Sequence, residues 1–272
     1  MPLIDICDEL AGNYPRGFKF TGWHPNCRCH TETILLGGAD FEDFIRAKRE
    51  GRAYDITKAR GYVAEPPAAF KAWVKGNAGR IAAAAKAGAT PYFVKDNIIQ
   101  VEKALSKKDF IKYRCAQYEA LKQNALYKNV QFNEKNGGLS ATHQGHNLDP
   151  RGGRYEQIAQ RCGFLRGCSV VLEEERCDEY GVKKCEGFWD HLPFEVAGAE
   201  TGGGNNIRNA LKHCASKPSC QVAVVVLPNS YTTENLIEGI KKYEGLKNTT
   251  QFVDFKKIYF INKDSEIIMK KG

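Results

Sequence analysis

Six residues near the N-terminus, His24-Pro-Asn-Cys-Arg-Cys29, constrain the fold of this chain more than any other stretch. With Cys7 upstream, they put one imidazole and three thiols into a segment, residues 1 to about 37, that is rich in Gly, Pro and aromatics and has no helical periodicity. Such a segment holds too little apolar surface to close a core of its own. Cys7, His24, Cys27 and Cys29 offer the ligand types of one tetrahedral zinc site, and bound metal would supply the missing folding energy. A loop-rich knuckle around a structural zinc is therefore expected.

At 272 residues the chain is long for one domain and short for three, so two modules are expected. No apolar run reaches the roughly 18 residues of a membrane span, and the N-terminus lacks a basic flank leading into an apolar core. The expectation is synthesis in the cytoplasm and no membrane partner. The ten cysteines are too dispersed for a secreted disulfide framework. Cys27 and Cys29 fit metal ligation, whereas Cys115, Cys162, Cys168, Cys177, Cys185, Cys214 and Cys220 read as reduced thiols, many of them small core residues. A net charge of +8 favours a polyanionic partner such as nucleic acid, and because the basic residues are scattered, folding must assemble any phosphate-binding surface.

The periodicity predicts a short helix over 40–50, a helix over about 68–87 opened by Pro66-Pro67 and stopped at Gly88, and a helical connector over 98–128. Beyond 129 the pattern changes to short apolar strands alternating with helices. Strands are expected at 130–132, 168–173, 192–199, 221–227, 257–262 and 265–269, and helices at 153–161, 205–214 and 233–243. The fold class is α+β: a zinc knuckle and helical part over 1–97, the connector over 98–128, and a small mixed-sheet domain with flanking helices over 129–272.

Two resemblances follow from motifs. The block IDICDELAGNYPRGFKFTGWHPNCRCHTETILL, with the later F-x-x-W and PYFVKDN, resembles the C-terminal end of the Mu F-like phage head morphogenesis (minor head) proteins over roughly the first hundred residues. From about 130 onward, the order H-x-x-H (His143, His146, near Asp149), a helical Glu156, FWDHLPFEVAG and the turn Thr201-Gly-Gly-Gly-Asn-Asn-Ile-Arg208 resembles the C-terminal nuclease domains of CdiA-type contact-dependent growth-inhibition toxins. It is similar too to related toxins of the barnase/EndoU/colicin/RelE-like superfamily. The resemblances imply an RNA-cleaving toxin domain, tRNA its substrate, carried on a phage head-protein tail. They also imply a cognate immunity protein, contact with phage portal or capsid proteins, and association with the virion.

Cleavage through the 2′-hydroxyl needs a base, an acid and stabilisation of the phosphate charge. His143 and His146 are the acid and base candidates, since an imidazole titrates near neutrality. The glycine turn entering the 205–214 helix presents backbone N–H groups to a phosphate, with Thr201, Asn206 and Arg208 beside it. Lys212 and Trp189 are further substrate-binding candidates; for Trp189 base stacking competes with core packing. No catalytic metal is needed on this reading. In the alternative, Glu156, Asp190 and Glu195 hold Mg²⁺ as in PD-(D/E)xK nucleases, although the lysine of that motif is replaced by Ala197, with Lys183 or Lys184 the remaining substitutes. A non-enzymatic capsid protein is a third reading.

Overall fold

The computed structural model describes residues 5–148, 153–174, 184–262 and 267–271. Asp149, Cys177 and Lys183 lie outside the described residues. The chain divides into two compact units, Met1–Phe110 and Ile111–Gly272.

The N-terminal unit is helical: α1 (Ile6–Glu9), α2 (Gly38–Arg49), α3 (Ala68–Gly76), α4 (Ala78–Lys86), α5 (Tyr92–Asp96) and α6 (Ile98–Ala104). Its knuckle rests on rings, with Trp23 5.5 Å from Phe93 and 5.1 Å from Phe20, and Tyr14 and Phe18 packed on the fully buried Phe70. Asn97, 1% exposed, closes the loop onto the helices. Its Oδ1 accepts from the Lys19 amide (2.7 Å), and its Nδ2 donates to the carbonyls of Lys19 (2.8 Å) and Phe93 (2.9 Å). A buried amide group is tolerated because its bonds are made.

The single helix expected over 68–87 is two helices. Asn77 leaves helical geometry (φ −107°, ψ 11°) and bonds its side chain back to the Trp73 carbonyl at 2.9 Å, the local competition that, after Gly76, favours a break. The connector expected over 98–128 is likewise interrupted. Leu105 turns extended, and Ser106 restarts the chain as α7 (Lys107–Gln123) by accepting from the Asp109 amide at 3.1 Å.

In the C-terminal unit the strands β1 (Tyr127–Asn133), β2 (Gly138–His143), β3 (Ser169–Leu172), β4 (Gly187–Trp189), β5 (Leu192–Gly198), β6 (Val222–Val226), β7 (Lys257–Ile261) and β8 (Ile267–Lys271) form one sheet in sequence order. The α+β class and the mixed sheet with flanking helices agree with the sequence reading. The sheet holds two strands beyond those expected, β2 and β4. β2 runs parallel to β3, β5 to β6 and β6 to β7, while the β3-β4-β5 meander is antiparallel. The carboxyl ends of β2, β3, β5, β6 and β7 therefore share one end of the sheet with the start of β4.

Helix α8 (Gly153–Leu165) packs on one face, and α9 (Gly204–Ala215) and α10 (Thr233–Glu244) on the other. Period-two alternation divides the strands accordingly. Ala223, Val225, Ile258 and Phe260 join Ile207, Leu211 and Leu236 in the α9/α10 core. The opposite face carries the fully buried Trp189, tilted on Tyr259 at 4.9 Å and edge-on to Phe194 at 5.9 Å. α8 approaches this face through Gly163, where a Cβ would overlap Val170 Cγ2 and the Trp189 ring. Gly163→Ala is expected to destabilise the unit by about 1–3 kcal/mol through overpacking, read as a lower melting temperature or denaturant midpoint with an unchanged m-value.

Among the described residues every cysteine is a free thiol, with Cys162, Cys185, Cys214 and Cys220 buried. Among them, too, no helix is long and apolar enough to cross a membrane.

Candidate functional site

The knuckle brings its ligand atoms together. Asp5 caps α1 by accepting from the Cys7 and Asp8 amides (2.8 and 3.2 Å), which presents Cys7 in the first turn. Its Sγ lies 3.1 Å from His24 Nε2 and 3.6 Å from Cys27 Sγ. His24 donates Nδ1–H to the Pro25 carbonyl at 2.8 Å, which leaves Nε2 with a lone pair toward the thiols. Gly22, at φ +100°, allows the turn: a Cβ there would stand 3.0 Å from Cys27 Cβ. Burial pushes the Cys7 thiol up to about 12, whereas hydrogen bonds led by the Trp23 backbone hold Cys27 down at about 7, so Cys27 supplies the readier thiolate. Cys29 is exposed and stands outside the close group of Cys7, His24 and Cys27, two residues along the chain from Cys27. This donor set can hold a structural zinc.

In the C-terminal unit a second cluster forms where the carboxyl ends of the parallel strands meet, the usual place for a ligand in sheets of this kind. His143 is the last residue of β2 rather than a loop residue; its Nδ1 accepts the Gly145 amide at 3.0 Å, so Nε2 carries the proton, and its ring meets Tyr127 edge-on at 5.4 Å. The turn closes with the His146 amide donating to the His143 carbonyl at 3.1 Å. His146 is buried, its Nδ1–H donating to the Glu173 carbonyl and its Nε2 meeting Glu156 Oε2, each at 2.7 Å. Glu156 projects from the first turn of α8, 7% exposed. Glu186, just before β4, puts a carboxylate oxygen within 4.8 Å of the ligand atoms of His146 and Glu156. The Tyr127 hydroxyl donates to Glu173 at 2.9 Å, and burial raises the Glu173 carboxyl above its ordinary range against that bond and the nearby histidines.

The other residues singled out in the sequence lie elsewhere. Asp190 and His191, with φ of +46° and +67°, form the two-residue turn of the β4-β5 hairpin. The Asp190 carboxylate takes Arg114 Nη2 (3.0 Å) and the Ser169 amide (2.9 Å). Four residues of strand, about 13 Å, separate Asp190 from Glu186. Glu195 is 0% exposed on the α9 face, where His213 (3.2 Å) and Lys217 (3.5 Å) meet its Oε1. Glu156, Asp190 and Glu195 thus do not converge, and Ala197 shares the Glu195 face. Trp189 is sealed in the core and offers no ring face to a base.

At the turn into α9, the Thr201 amide donates to Asn206 Oδ1 at 3.3 Å. Gly203 caps the helix without a side chain, and Glu238 crowds Gly204 closely enough to overlap a Cβ there, so a carboxylate already stands at this helix N-terminus. Arg208 turns to Asn209 (2.9 Å), and Lys212 lies half-buried in the last turn. Tyr155, beside Glu156, packs against Gly198 at the end of β5, joining the start of α8 to the strand that leads into this turn.

Sequence reasoning missed Glu173, Glu186 and Tyr127. The run Glu173-Glu-Glu at the end of a β-branched strand was a signal for the first, since acids at the carboxyl ends of parallel strands line such crevices.

Together these features define a mixed-sheet domain with an imidazole and carboxylate cluster at its strand ends. The chain is similar to a solved CdiA-CT/CdiI toxin and immunity complex from Burkholderia pseudomallei, with 16% identity and a TM-score of 0.35 over 46% of this chain and 89% of that one. No protein-family model matches the chain, and no curated protein does.

Proposed function

We propose that the C-terminal unit is a nuclease toxin domain that cleaves RNA, tRNA above all, and that residues 1–97 are the zinc-held tail of a phage minor head protein that carries it. The observation behind the nuclease reading is the meeting of His143, His146, Glu156 and Glu173 at the strand ends. His146 has both ring nitrogens engaged and a side chain with no exposed surface, so it is a positioning residue, not the group that reaches substrate. His143 is half-buried, and while its Nδ1 accepts the Gly145 amide its Nε2–H can donate a hydrogen bond to a phosphate or leaving oxygen; proton transfer at Nε2 requires that turn contact to open so that Nδ1 can carry the proton. The phage reading rests on the GWHPNCRC block, and the toxin reading implies a cognate immunity protein that masks the cluster.

The test is incubation of the purified full chain with total tRNA, in EDTA and in Mg²⁺, with the product ends mapped. Cyclic phosphate ends are expected. His143→Gln should slow their formation about 10²- to 10⁴-fold with an unchanged melting temperature. Intact tRNA after treatment with folded protein in both buffers would sink the reading.

A further inference from the structure

We propose that His146, Glu156 and Glu186 form a binding site for one divalent first-row cation, with Mn²⁺ as its probe. The three ligand atoms already lie within 4.8 Å of one another. Ligands about 2.0–2.2 Å from an ion stand at most about 4.4 Å apart, so shifts of a few tenths of an ångström close the site. The His146 ring is aimed for this: its Nδ1–H is held by the Glu173 carbonyl at 2.7 Å, the outer contact that orients a metal-binding imidazole and fixes Nε2 as the ligand nitrogen. That carbonyl belongs to the residue facing Glu186 on the neighbouring strand, because the Glu173 amide donates to the Glu186 carbonyl at 2.9 Å. Ligand and orienting group are therefore fixed by one register.

His146 is 4% and Glu156 7% exposed, and a dication held by an imidazole and two carboxylates at such a site has its charge matched by its ligands. Without metal, the 2.7 Å contact between His146 Nε2 and Glu156 Oε2 holds a proton; binding the ion releases that proton to solvent, and the metal bonds to Nε2 and Oε2 replace it. Mixed imidazole and carboxylate donors suit Mn²⁺, Fe²⁺ or Zn²⁺ better than the all-oxygen sites of Mg²⁺ or Ca²⁺. Three protein ligands leave positions open to a water or a phosphate oxygen.

The site does not depend on what the domain cleaves, and binding is measured directly. Full-length protein carrying one equivalent of zinc per chain, which the thiol-rich knuckle takes in preference while discriminating against Mn²⁺, is titrated with Mn²⁺ under electron paramagnetic resonance. One tightly held ion per chain is expected, with proton release in weak buffer, and at least about tenfold weaker binding in Glu186→Gln and in His146→Gln. Glu186 is only partly buried, so its conservative variant should keep the fold, checked by circular dichroism; the exposed Glu234→Gln serves as control. No saturable binding to folded protein, or equal binding by Glu186→Gln, overturns the proposal. Mn²⁺ bound with tRNA left intact would remove the nuclease reading and keep the cation site, whereas cleavage by a chain that binds no Mn²⁺ would do the reverse.

Discussion

Stripping zinc from the full chain with a strong chelator is expected to abolish the tertiary signal of the N-terminal unit while the C-terminal sheet persists. The reason is the scale of the interaction. A structural zinc contributes about 10–16 kcal/mol in small zinc-folded peptides, whereas whole domains are stable by only about 5–15 kcal/mol. The knuckle packs its Trp23 directly among Phe20, Phe70 and Phe93, so loss of the metal should loosen that aromatic core as well as the loop. Near-UV circular dichroism and tryptophan emission report it, with zinc content measured in parallel. Cys27→Ser should reproduce the effect, and Cys29→Ser, at the exposed corner, should weaken zinc binding less. A chain that contains no zinc as purified, or one whose spectrum survives chelation, would refute the structural role.

Glu156→Gln is expected to lower RNA cleavage by about ten- to a hundredfold, the scale for loss of an outer contact that orients an imidazole, with the sheet still folded. The amide keeps the shape of the side chain but replaces the carboxylate by a neutral acceptor, which weakens the contact that orients the His146 ring. Initial rates on tRNA, together with a melting curve, separate lost chemistry from lost structure. Glu156→Ala should add a stability loss, because a buried imidazole is then left with an empty neighbour. Wild-type rates in Glu156→Gln would place the chemistry away from this cluster. The cation proposed at His146, Glu156 and Glu186 makes a further demand: added Mn²⁺ should not restore Glu156→Gln to the wild-type rate.

Much of the C-terminal sheet was legible because its strands are β-branched and bounded. Val222–Val226 is an unbroken apolar run before Pro228, and α9 shows one apolar face. β2 was not, since Gly-Leu-Ser-Ala-Thr-His has little intrinsic strand preference and is a strand because β1 and β3 enclose it. β4, at three residues, is too short to show a period. The histidines and Glu156 were visible as residue types, but their convergence with Glu186 depends on the pairing of residues 173 and 186, which no local pattern encodes. The acids at 156, 190 and 195 illustrate the opposite error, in which order along the chain stood in for proximity. Alternation in β5 turns Glu195 toward α9, and the hairpin carries Asp190 to the far end of its strand.

The sheet order β1-β2-β3-β4-β5-β6-β7-β8 has a consequence for how the domain is made. Each strand pairs only with its neighbours in sequence, so no strand has to wait for a distant segment before it can join. The loops that must close are those between successive elements, and loop closure dominates the kinetic cost of non-local pairing. Such a chain can zip up progressively from its first hairpin as it emerges from a ribosome, or as it leaves any narrow passage that admits it only unfolded.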